Sequence, residues 1–449
     1  MTYYRRHIDE QLLRWKESEN RKPLLVRGAR QVGKSSAVRE LGKLFKYFVE
    51  VNLEKSPALA RLFTADIDVH ALCSQLSAAA EIPIVAGETL LFIDEIQISR
   101  EAVMYLRYFR EDYPELHVIA AGSLLEFTLG ELSSFAVGRV RSLYMYPFSF
   151  DEFLGAQGMD GKLRAKLEAG SGCPLSDAIH QMLREQLRTF YIVGGMPQAV
   201  AEWIDTHDYA SCTLIHNDIL DTYQDDFSKY RRRVNPNLLR KVLRSVALQS
   251  GRKFVFSQAS SEDRAAVVSD ALHLLTLSGL VVPVTHSDAN GVPLGAEEDG
   301  HYRKYLFLDV GLMLTMLSVS AGDVLLRADD DLVNKGAVSE VFVGLEMLKY
   351  HDCFTRAELY YWQNNTRNGN AEVDYLSVSG GKIIPIEVKA STKGSMQSLY
   401  LFMRKKHLPS AVRLSMENFS RFTYTDHEDG DSVRVVDVVP LYSVSSLFK

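Results

Sequence analysis

Eight consecutive residues near the amino terminus have the types and spacing of a phosphate-binding loop. They are Gly28, Ala29, Arg30, Gln31, Val32, Gly33, Lys34 and Ser35, which fit the pattern G-x-x-x-x-G-K-[ST]. The loop lies between the apolar run PLLV and the helix-periodic run SSAVRELGKLF, the setting this chemistry requires. Backbone amides of the loop would bind the phosphates of a nucleotide, and Lys34 would contact the β and γ oxygens. Ser35 would bind magnesium, and Ser36 would lie at the start of the following helix. The alternative is a chance glycine-rich turn.

A pair of acids at the end of an apolar run supports this interpretation. Residues 89–95, TLLFIDE, predict a buried parallel strand that ends in Asp94 and Glu95. Asp94 is expected to hold the magnesium shell and Glu95 to polarise the water that attacks a γ-phosphate, because phosphoryl transfer needs a positioned nucleophile and neutralised charge. The alternative is an acid pair on the surface. Ser123 ends the strand HVIAAGS, where it would sense the γ-phosphate or that water.

A second group of carboxylates lies near the carboxyl terminus, in the segment AEVDYLSVSGGKIIPIEVKA. The segment reads as two alternating strands around a Gly-Gly turn. Pairing across this turn places Asp374 opposite Glu387 and Glu372 opposite Lys389, all on one face of the hairpin. Carboxylates about 5 Å apart repel each other unless a cation lies between them, and magnesium is the natural candidate.

Two further residues complete this predicted metal site. Glu340, on the preceding helical segment KGAVSEVFVGLEM, would supply another carboxylate. Lys389 would orient a water or stabilise developing negative charge. The alternative is a solvated hairpin face neutralised by Lys389, since a register slip of one residue would disperse the cluster.

The elements that must position these residues fall into four parts. Residues 1–147 alternate short apolar runs with helix-periodic stretches, which predicts a mostly parallel α/β sheet. Residues 148–230 are mostly helical and predict a lid. Residues 231–325 place helices before a hairpin, which predicts a winged-helix-like segment, and residues 330–449 predict a compact α/β domain. The predicted fold class is therefore α/β, in several domains.

The middle segment is a candidate for contact with DNA. Ser261 to Gly279 would form a recognition helix, with VVPV and KYLFL as strands of the wing. This helix would expose little net positive charge, because neighbouring acidic residues offset the charge of Arg264. A better phosphate-contacting candidate is the basic cluster formed by Lys229, Arg231, Arg232, Arg233, Arg240, Lys241 and Arg244. The alternative for that cluster is a solvated face.

Composition limits the classes of protein that this chain can form. Of its 449 residues, 46% are hydrophobic and 24% charged, which excludes a disordered, collagenous or coiled-coil chain. The net charge of −6 gives no overall positive field to draw it to nucleic acid or an anionic membrane. Four scattered cysteines without a Cys-x-x-Cys pair fit a reducing compartment. Because no apolar run reaches about 18 residues, we expect a cytoplasmic protein without a membrane partner.

The loop, the acidic strand and the polar strand end, followed by a helical lid, resemble the AAA+ ATPase superfamily. This resemblance covers residues 1–230 and implies ATP and Mg²⁺ as cofactors. In such enzymes an arginine from a neighbouring subunit usually completes the site, which implies a homo-oligomer. Arg139 is our candidate, with Arg141 as a second choice and a local ion pair as the competing role. The segment GGMP resembles the turn by which related signal-transduction NTPases sense the nucleotide base, which assigns Pro197 to that contact, unless it is only a rigid turn.

The spacing of Asp374, Glu387 and Lys389 resembles the PD-(D/E)XK, or restriction-endonuclease-like, nuclease fold, with Glu340 as its first-helix acid. The strings KGAVSEVFV, AEVDYLSV and IIPIEVKAS resemble the C-terminal domain of prokaryotic AAA+ ATPases described as domain of unknown function 4143. Together with RGARQVGKS, FIDEIQ and GGMP, this resemblance runs over essentially the whole chain. The chain departs from the nuclease motif in lacking a proline before Asp374, and likeness to a nuclease fold does not imply cleavage.

Three functional hypotheses follow from these patterns. The first is an ATP-hydrolysing AAA+ protein whose trailing domains engage nucleic acid, with DNA as the expected partner, under ATP control. The second is a signalling or scaffold module in which ATP locks an assembly and the nuclease-like domain is inactive. The third is a metal-dependent nuclease that the ATPase regulates. The first is the main prediction.

Overall fold

The computed structural model describes residues 2–64, 66–122, 125, 138–159, 161, 163, 167, 174–230, 233–325, 335–364, 371–390 and 395–448. The chain divides into two compact units. The first consists of Met1–Phe148 with the short segments Leu277–Gly279 and Asp352–Arg356, and the second of Ser149–Thr276, Leu280–His351 and Ala357–Lys449. Within the described parts of the chain, no helix is long and apolar enough to span a bilayer.

The first unit is built on a five-stranded sheet in which the pairings are parallel. Its strands are β1 (Leu24–Arg27), β2 (Tyr47–Asn52), β3 (Thr89–Asp94), β4 (His117–Ala121) and β5 (Arg141–Tyr144), in the spatial order β2-β3-β4-β1-β5. The described helices of this unit are α1 (His7–Glu17), α2 (Lys34–Gly42), α3 (Pro57–Ala60), α4 (Val69–Ala80) and α5 (Arg100–Asp112). The predicted parallel α/β sheet is confirmed.

Strand β3 shows how the sequence produces the parallel sheet of the first unit. All six residues of TLLFID are buried, because a central parallel strand is covered on both faces. Ile93 packs in a core with residues of α4 and α5, whereas Phe92 on the opposite face stacks on Phe48 with ring centroids 6.4 Å apart. Ser99 accepts a hydrogen bond from the backbone N–H of Ala102 at 3.1 Å and thereby fixes the start of α5.

The second unit begins with helices and continues into a large mixed sheet. Its described helices are α6 (Phe150–Ala156), α7 (Asp177–Val193), α8 (Pro197–Thr206), α9 (Tyr209–Asp226), α10 (Pro236–Gln249), α11 (Phe256–Ala259), α12 (Ala265–Leu277), α13 (Val310–Met316), α14 (Ala321–Leu325), α15 (Lys335–Lys349) and α16 (Gln397–Lys405). Its strands are β6 (Val281–Ser287), β7 (Glu298–Phe307), β8 (Leu359–Gln363), β9 (Glu372–Ser379), β10 (Lys382–Val388), β11 (Ser410–Ser415), β12 (Ser420–Asp426) and β13 (Ser432–Pro440).

These strands form one eight-stranded sheet in the order β12-β13-β11-β10-β9-β8-β6-β7. The hairpin of β6 and β7 contains the segments predicted as wing strands, and β6 also pairs in parallel with β8, where Val284 lies opposite Leu359. The hairpin therefore forms one edge of the C-terminal sheet. Helix α16 covers a face of this sheet with Leu399, Phe402 and Met403 at helical spacing.

The register of β9 and β10 agrees with the prediction from the Gly-Gly turn. Ile386 pairs with Tyr375, as expected for a two-residue connection between these strands. Continuing this register by one residue sets Asp374 opposite Glu387. The hairpin therefore carries these two carboxylates on one face.

The turn between α7 and α8 is held by an aspartate from a distant part of the second unit. Gly194 adopts φ 66° and ψ −167°, and Gly195 donates its backbone N–H to Oδ2 of Asp309 at 2.6 Å. Asp309 is fully buried and also caps α13 by accepting the N–H of Leu312 at 3.0 Å. A Cβ atom on Gly194 would lie 2.2 Å from Oδ1 of Asp309, so only glycine fits there.

We expect Gly194→Ala to lower the free energy of unfolding by about 2 kcal/mol or more, because the new methyl group would collide with Asp309 and the backbone would be strained. Thermal unfolding followed by circular dichroism measures the change. Gly155→Ala in α6 is the matched control, since a Cβ atom there meets nothing within 4 Å. Equal unfolding midpoints for the two variants would show that the turn is not constrained in this way.

Candidate functional site

The phosphate-binding pattern forms a loop directly between a central strand and a helix. Strand β1 ends at Arg27 and α2 begins at Lys34, so the loop occupies the carboxyl end of β1. Gly28 has φ 142°, and a Cβ atom there would lie 2.1 Å from the carbonyl oxygen of Met145. Gly33 precedes α2 with φ 99°. Both conformations require glycine, and the first amides of α2 have no acceptor within the helix and can bind an anion.

Lys34 is the cation of this loop. Its ammonium group donates to the carbonyl oxygens of Gly28 at 2.9 Å and Ala29 at 2.7 Å, and the side chain is 8% exposed. Burial lowers the pKa of Lys34 to about 8, although the nearby carboxylates of Glu95 and Asp94 oppose the change. A phosphate group arriving in the loop would favour the charged amine for the same electrostatic reason.

The other predicted loop residues differ in their exposure. Ala29 and Val32 are buried and anchor the loop, Arg30 is half-buried, and Gln31 and Ser36 are exposed. The side chains of the exposed residues are therefore accessible to a ligand, while the buried ones contribute through their backbone amides.

Asp94 receives three hydrogen bonds at the end of β3. Ser35 donates its hydroxyl to Oδ2 at 3.0 Å, Asn52 donates its side-chain N–H to the same oxygen at 3.2 Å, and Glu95 donates its backbone N–H to Oδ1 at 3.1 Å. Burial raises the pKa of Asp94, and the bond from Ser35 opposes that rise. Hydroxyl and carboxylate oxygens are ligands that Mg²⁺ takes beside a phosphate, so Ser35 and Asp94 fit the metal.

Glu95 is held by a second residue that follows it. Glu95 has φ 52°, and its Oε2 accepts a hydrogen bond from Nε2 of Gln97 at 2.5 Å. Neither Gln97 nor Asn52 was predicted as a site residue from the sequence. Asn52 could have been predicted, because it is a polar residue at the end of β2 and neighbouring parallel strands end at the same edge of the sheet. Ser123 lies outside the described residues, so its predicted role stays a prediction.

Arg139 lies toward the edge of the sheet opposite to the loop. It precedes β5, whose first residue, Arg141, pairs with Leu24 at the start of β1, whereas the loop follows the end of β1. Four residues of parallel strand span about 13 Å, too far for Arg139 to reach the loop of its own chain. Its guanidinium pairs with Glu111 at 2.8 Å. Action on a neighbouring subunit therefore stays a prediction for Arg139.

Pro197 is the first residue of α8 in the second unit. The turn before it is fixed by the bond from Gly195 to Asp309. Contact of Pro197 with a nucleotide base stays a prediction.

Three carboxylates of the second unit come together around a buried lysine. One oxygen each of Glu340, Glu372 and Asp374 lie within 4.8 Å of one another. Lys304 is fully buried, donates to Oε1 of Glu340 at 2.7 Å and also pairs with Glu372. Burial alone would lower the pKa of Lys304, but the three acids together raise it well above its usual value. The three acids therefore favour the charged form of Lys304.

Lys304 was not expected at this site. Lys304 and the four residues that follow it are all buried, so alternation along β7 does not single out the face on which Lys304 lies. A buried lysine needs a counter-charge. The sequence could not say which acids it meets, because β8 and β6 lie between β9 and β7 in the sheet.

Glu387 and Lys389 form an ion pair beside this cluster. Lys389 donates to Oε1 of Glu387, and Asp374 accepts the backbone N–H of Val388 at 2.8 Å. Burial, and next the charge of Asp374, raise the pKa of Glu387 to about 7. The predicted residues are thus neighbours, but the tight group of three contains Glu372 in place of Glu387.

With its loop at the end of a parallel strand and Ser35 bonded to Asp94, the first unit has the α/β fold of a P-loop nucleotide-binding domain. Residues 20–154 match the family described as AAA domain, and residues 335–443 match the family described as Domain of unknown function (DUF4143). The chain therefore carries an AAA domain followed by a C-terminal domain of unknown function 4143, as the resemblance predicted. Residues 184–323 match a further Domain of unknown function (DUF8612).

Solved structures supply more distant similarities, and no curated protein sequence matches the chain. The chain is similar to a Walker-type ATPase of Pyrococcus abyssi at 15% identity and a TM-score of 0.45, over 70% of this chain and 96% of that one. It is also similar to the ORC1 protein of Aeropyrum pernix in complex with DNA, at 12% identity and a TM-score of 0.29, over 71% and 93%. Drosophila ORC bound to DNA gives 14% identity and a TM-score of 0.28, over 69% and 94%. The family matches, rather than these structures, assign the AAA domain.

The lowered pKa of Lys34 predicts that nucleotide binding takes up a proton at alkaline pH. The free amine loses its proton as the pH rises through about 8, and the bound phosphates would restore it. We expect proton uptake near zero at about pH 7 and approaching about one proton at about pH 9, with ATP affinity falling across that range. Calorimetric titrations with MgATP in two buffers of different ionisation enthalpy measure this uptake. Equal uptake at both pH values would contradict the assignment of Lys34.

Proposed function

We propose that this protein binds ATP with Mg²⁺ and hydrolyses it at the loop of the first unit. The observation that carries the proposal is the hydrogen bond from the loop residue Ser35 to Asp94 of β3. This bond brings a hydroxyl and a carboxylate together where the metal of a bound nucleotide would lie. The AAA domain match over residues 20–154 supports the same activity.

The loop and Asp94 have separate tasks in this proposal. Backbone amides from residues 28–36 would bind the phosphates. Ser35 and Asp94 would hold Mg²⁺, which would supply charge neutralisation on the β and γ oxygens. Lys34 would exchange its two carbonyl partners in the loop for those oxygens, because a phosphate is the stronger acceptor.

Glu95 would orient and deprotonate the attacking water. Its backbone turns at φ 52° directly after Asp94, and the bond from Gln97 restricts its carboxylate to one position. Gln97 is therefore a positioning residue, which acts through Glu95. Ser123 would sense the γ-phosphate or the attacking water.

The site would be completed by other parts of the assembly. Arg139 lies too far from its own loop, so it would stabilise the transferring phosphoryl group of a second copy of the chain. Such action requires a homo-oligomer, with Arg139 exchanging Glu111 for the phosphate. Pro197 would contact the nucleotide base.

We expect Glu95→Gln to slow steady phosphate release by about 100-fold or more while ATP affinity changes little, because the amide cannot accept the proton of the attacking water. Phosphate release and binding of ATP with Mg²⁺ are the two measurements. Glu88→Gln is the matched control, since Glu88 stands just before the other end of β3 and pairs with Lys46 at the surface.

Two outcomes would count against this proposal. Absence of ATP binding by the unmodified protein would remove the site itself. Tight binding without steady phosphate release would favour the alternative in which ATP locks a signalling or scaffold assembly without turnover.

We further propose that the nucleotide state controls engagement of nucleic acid, with DNA as the expected ligand, by the C-terminal half. Helix α10 supports this proposal because Asn237, Lys241, Arg244 and Leu248 are exposed at helical spacing along one face. Lys241 lies 3.5 Å from Glu262, and both side chains are largely exposed, so this pair is weak and leaves the lysine accessible. Arg231 and Arg232 of the predicted basic cluster lie outside the described residues.

We expect the double change Lys241→Gln and Arg244→Gln to weaken DNA binding and to reduce the slope of log affinity against log salt by about two, because each cation would release about one counterion. Fluorescence anisotropy of labelled duplex DNA over a salt series measures both quantities. Lys46→Gln, at a surface ion pair of the first unit, is the control. A slope that the double change leaves unaltered would exclude α10 from the interface.

A further inference from the structure

Lys304 occupies the centre of the carboxylate cluster in the second unit. The side chain is 0% exposed, and its ammonium group contacts both Glu340 and Glu372. The ring of Tyr361 lies 5.0 Å from the same nitrogen. The nitrogen is therefore enclosed by oxygen atoms and one aromatic ring, without access to water.

A divalent cation would need the place that this ammonium group fills. The PD-(D/E)XK resemblance assigns a metal to Glu340, Asp374 and Glu387. In the structure, it is the oxygens of Glu340, Glu372 and Asp374 that lie close enough to share an ion. Mg²⁺ binds carboxylate oxygens at about 2.1 Å and Ca²⁺ at about 2.3–2.6 Å. The nitrogen of Lys304 lies 2.7 Å from Oε1 of Glu340 and is paired with Oε1 of Glu372. A metal ion that bridged these two oxygens would overlap the nitrogen and repel its charge.

Lys304 neutralises part of the charge of the cluster. Glu340, Glu372 and Asp374 would repel one another strongly if they were buried without a counter-charge. Lys304 supplies that counter-charge to the first two acids, and Lys389 supplies one to Glu387. The place between Glu340 and Glu372 is therefore filled by a cation of the chain itself, and a metal ion does not fit there.

We infer that Lys304 takes the place of a divalent metal between Glu340 and Glu372, so that these two carboxylates form a latent cation site that the lysine occupies. The inference concerns the second unit and does not depend on ATP hydrolysis by the first. It explains why a lysine on the edge strand β7 is buried among acids of α15 and β9.

Titration with Mn²⁺ in the absence of nucleotide, followed by the paramagnetic resonance signal of free Mn²⁺, tests the inference on the full chain. We expect Lys304→Met to bind about one more Mn²⁺ per chain than the unmodified protein, at about tenfold higher affinity for this site or better. Adding Asp374→Asn to that variant should abolish the gain. Lys253→Met is the matched control, because Lys253 pairs with Lys304 across a β-bridge but is exposed.

A second variant covers the case in which Lys304→Met does not fold. The double change Lys304→Met and Glu340→Gln removes one buried charge of each sign, and its thermal midpoint should rise with Mn²⁺ while that of the unmodified protein does not respond through this cluster. Mn²⁺ binding by the unmodified protein that Glu372→Gln abolishes would overturn the inference, because Glu372 is a carboxylate that Lys304 already occupies.

Discussion

Parallel pairing of β1, β4 and β3 is the constraint on which the candidate site depends. Because these strands run in one direction, the loop that follows β1 and the acids that end β3 emerge at the same edge of the sheet. The bond from Ser35 to Asp94 is the direct result, although 59 positions separate the two residues. If either strand ran the other way, hydroxyl and carboxylate would lie at opposite edges and could not share a metal.

Patterns that depend on neighbouring residues were predictable from the sequence. The apolar run of β3 indicated a strand buried on both faces, and the Gly-Gly turn indicated the register that sets Asp374 opposite Glu387. Contacts between distant segments were not predictable in this way. The partners of Lys304 depend on the order of four strands, which local alternation does not contain.

The two buried lysines show how surroundings decide what one residue type can do. Lys34 is bonded to neutral carbonyl oxygens, and its pKa is lowered because burial outweighs the attraction of the nearby acids. Lys304 is bonded to carboxylates, and its pKa is raised because their attraction outweighs burial. An incoming anion would stabilise the charged form of Lys34, whereas the charge of Lys304 is already neutralised by carboxylates. Position in the fold, rather than residue type, separates a binding group from a structural one.

The pairing of β6 with β8 has a consequence for where this protein can be divided. The two sequence families of the second unit meet in one hydrogen-bonded sheet, since β6 and β7 precede the segment 335–443 and β8 lies within it. A fragment that begins at residue 335 would leave β8 as an uncovered edge strand, which is a template for aggregation. It would also lack Lys304, so Glu340 and Glu372 would lose the cation that neutralises them. A piece that keeps β6 paired with β8 therefore extends across the boundary between the two families.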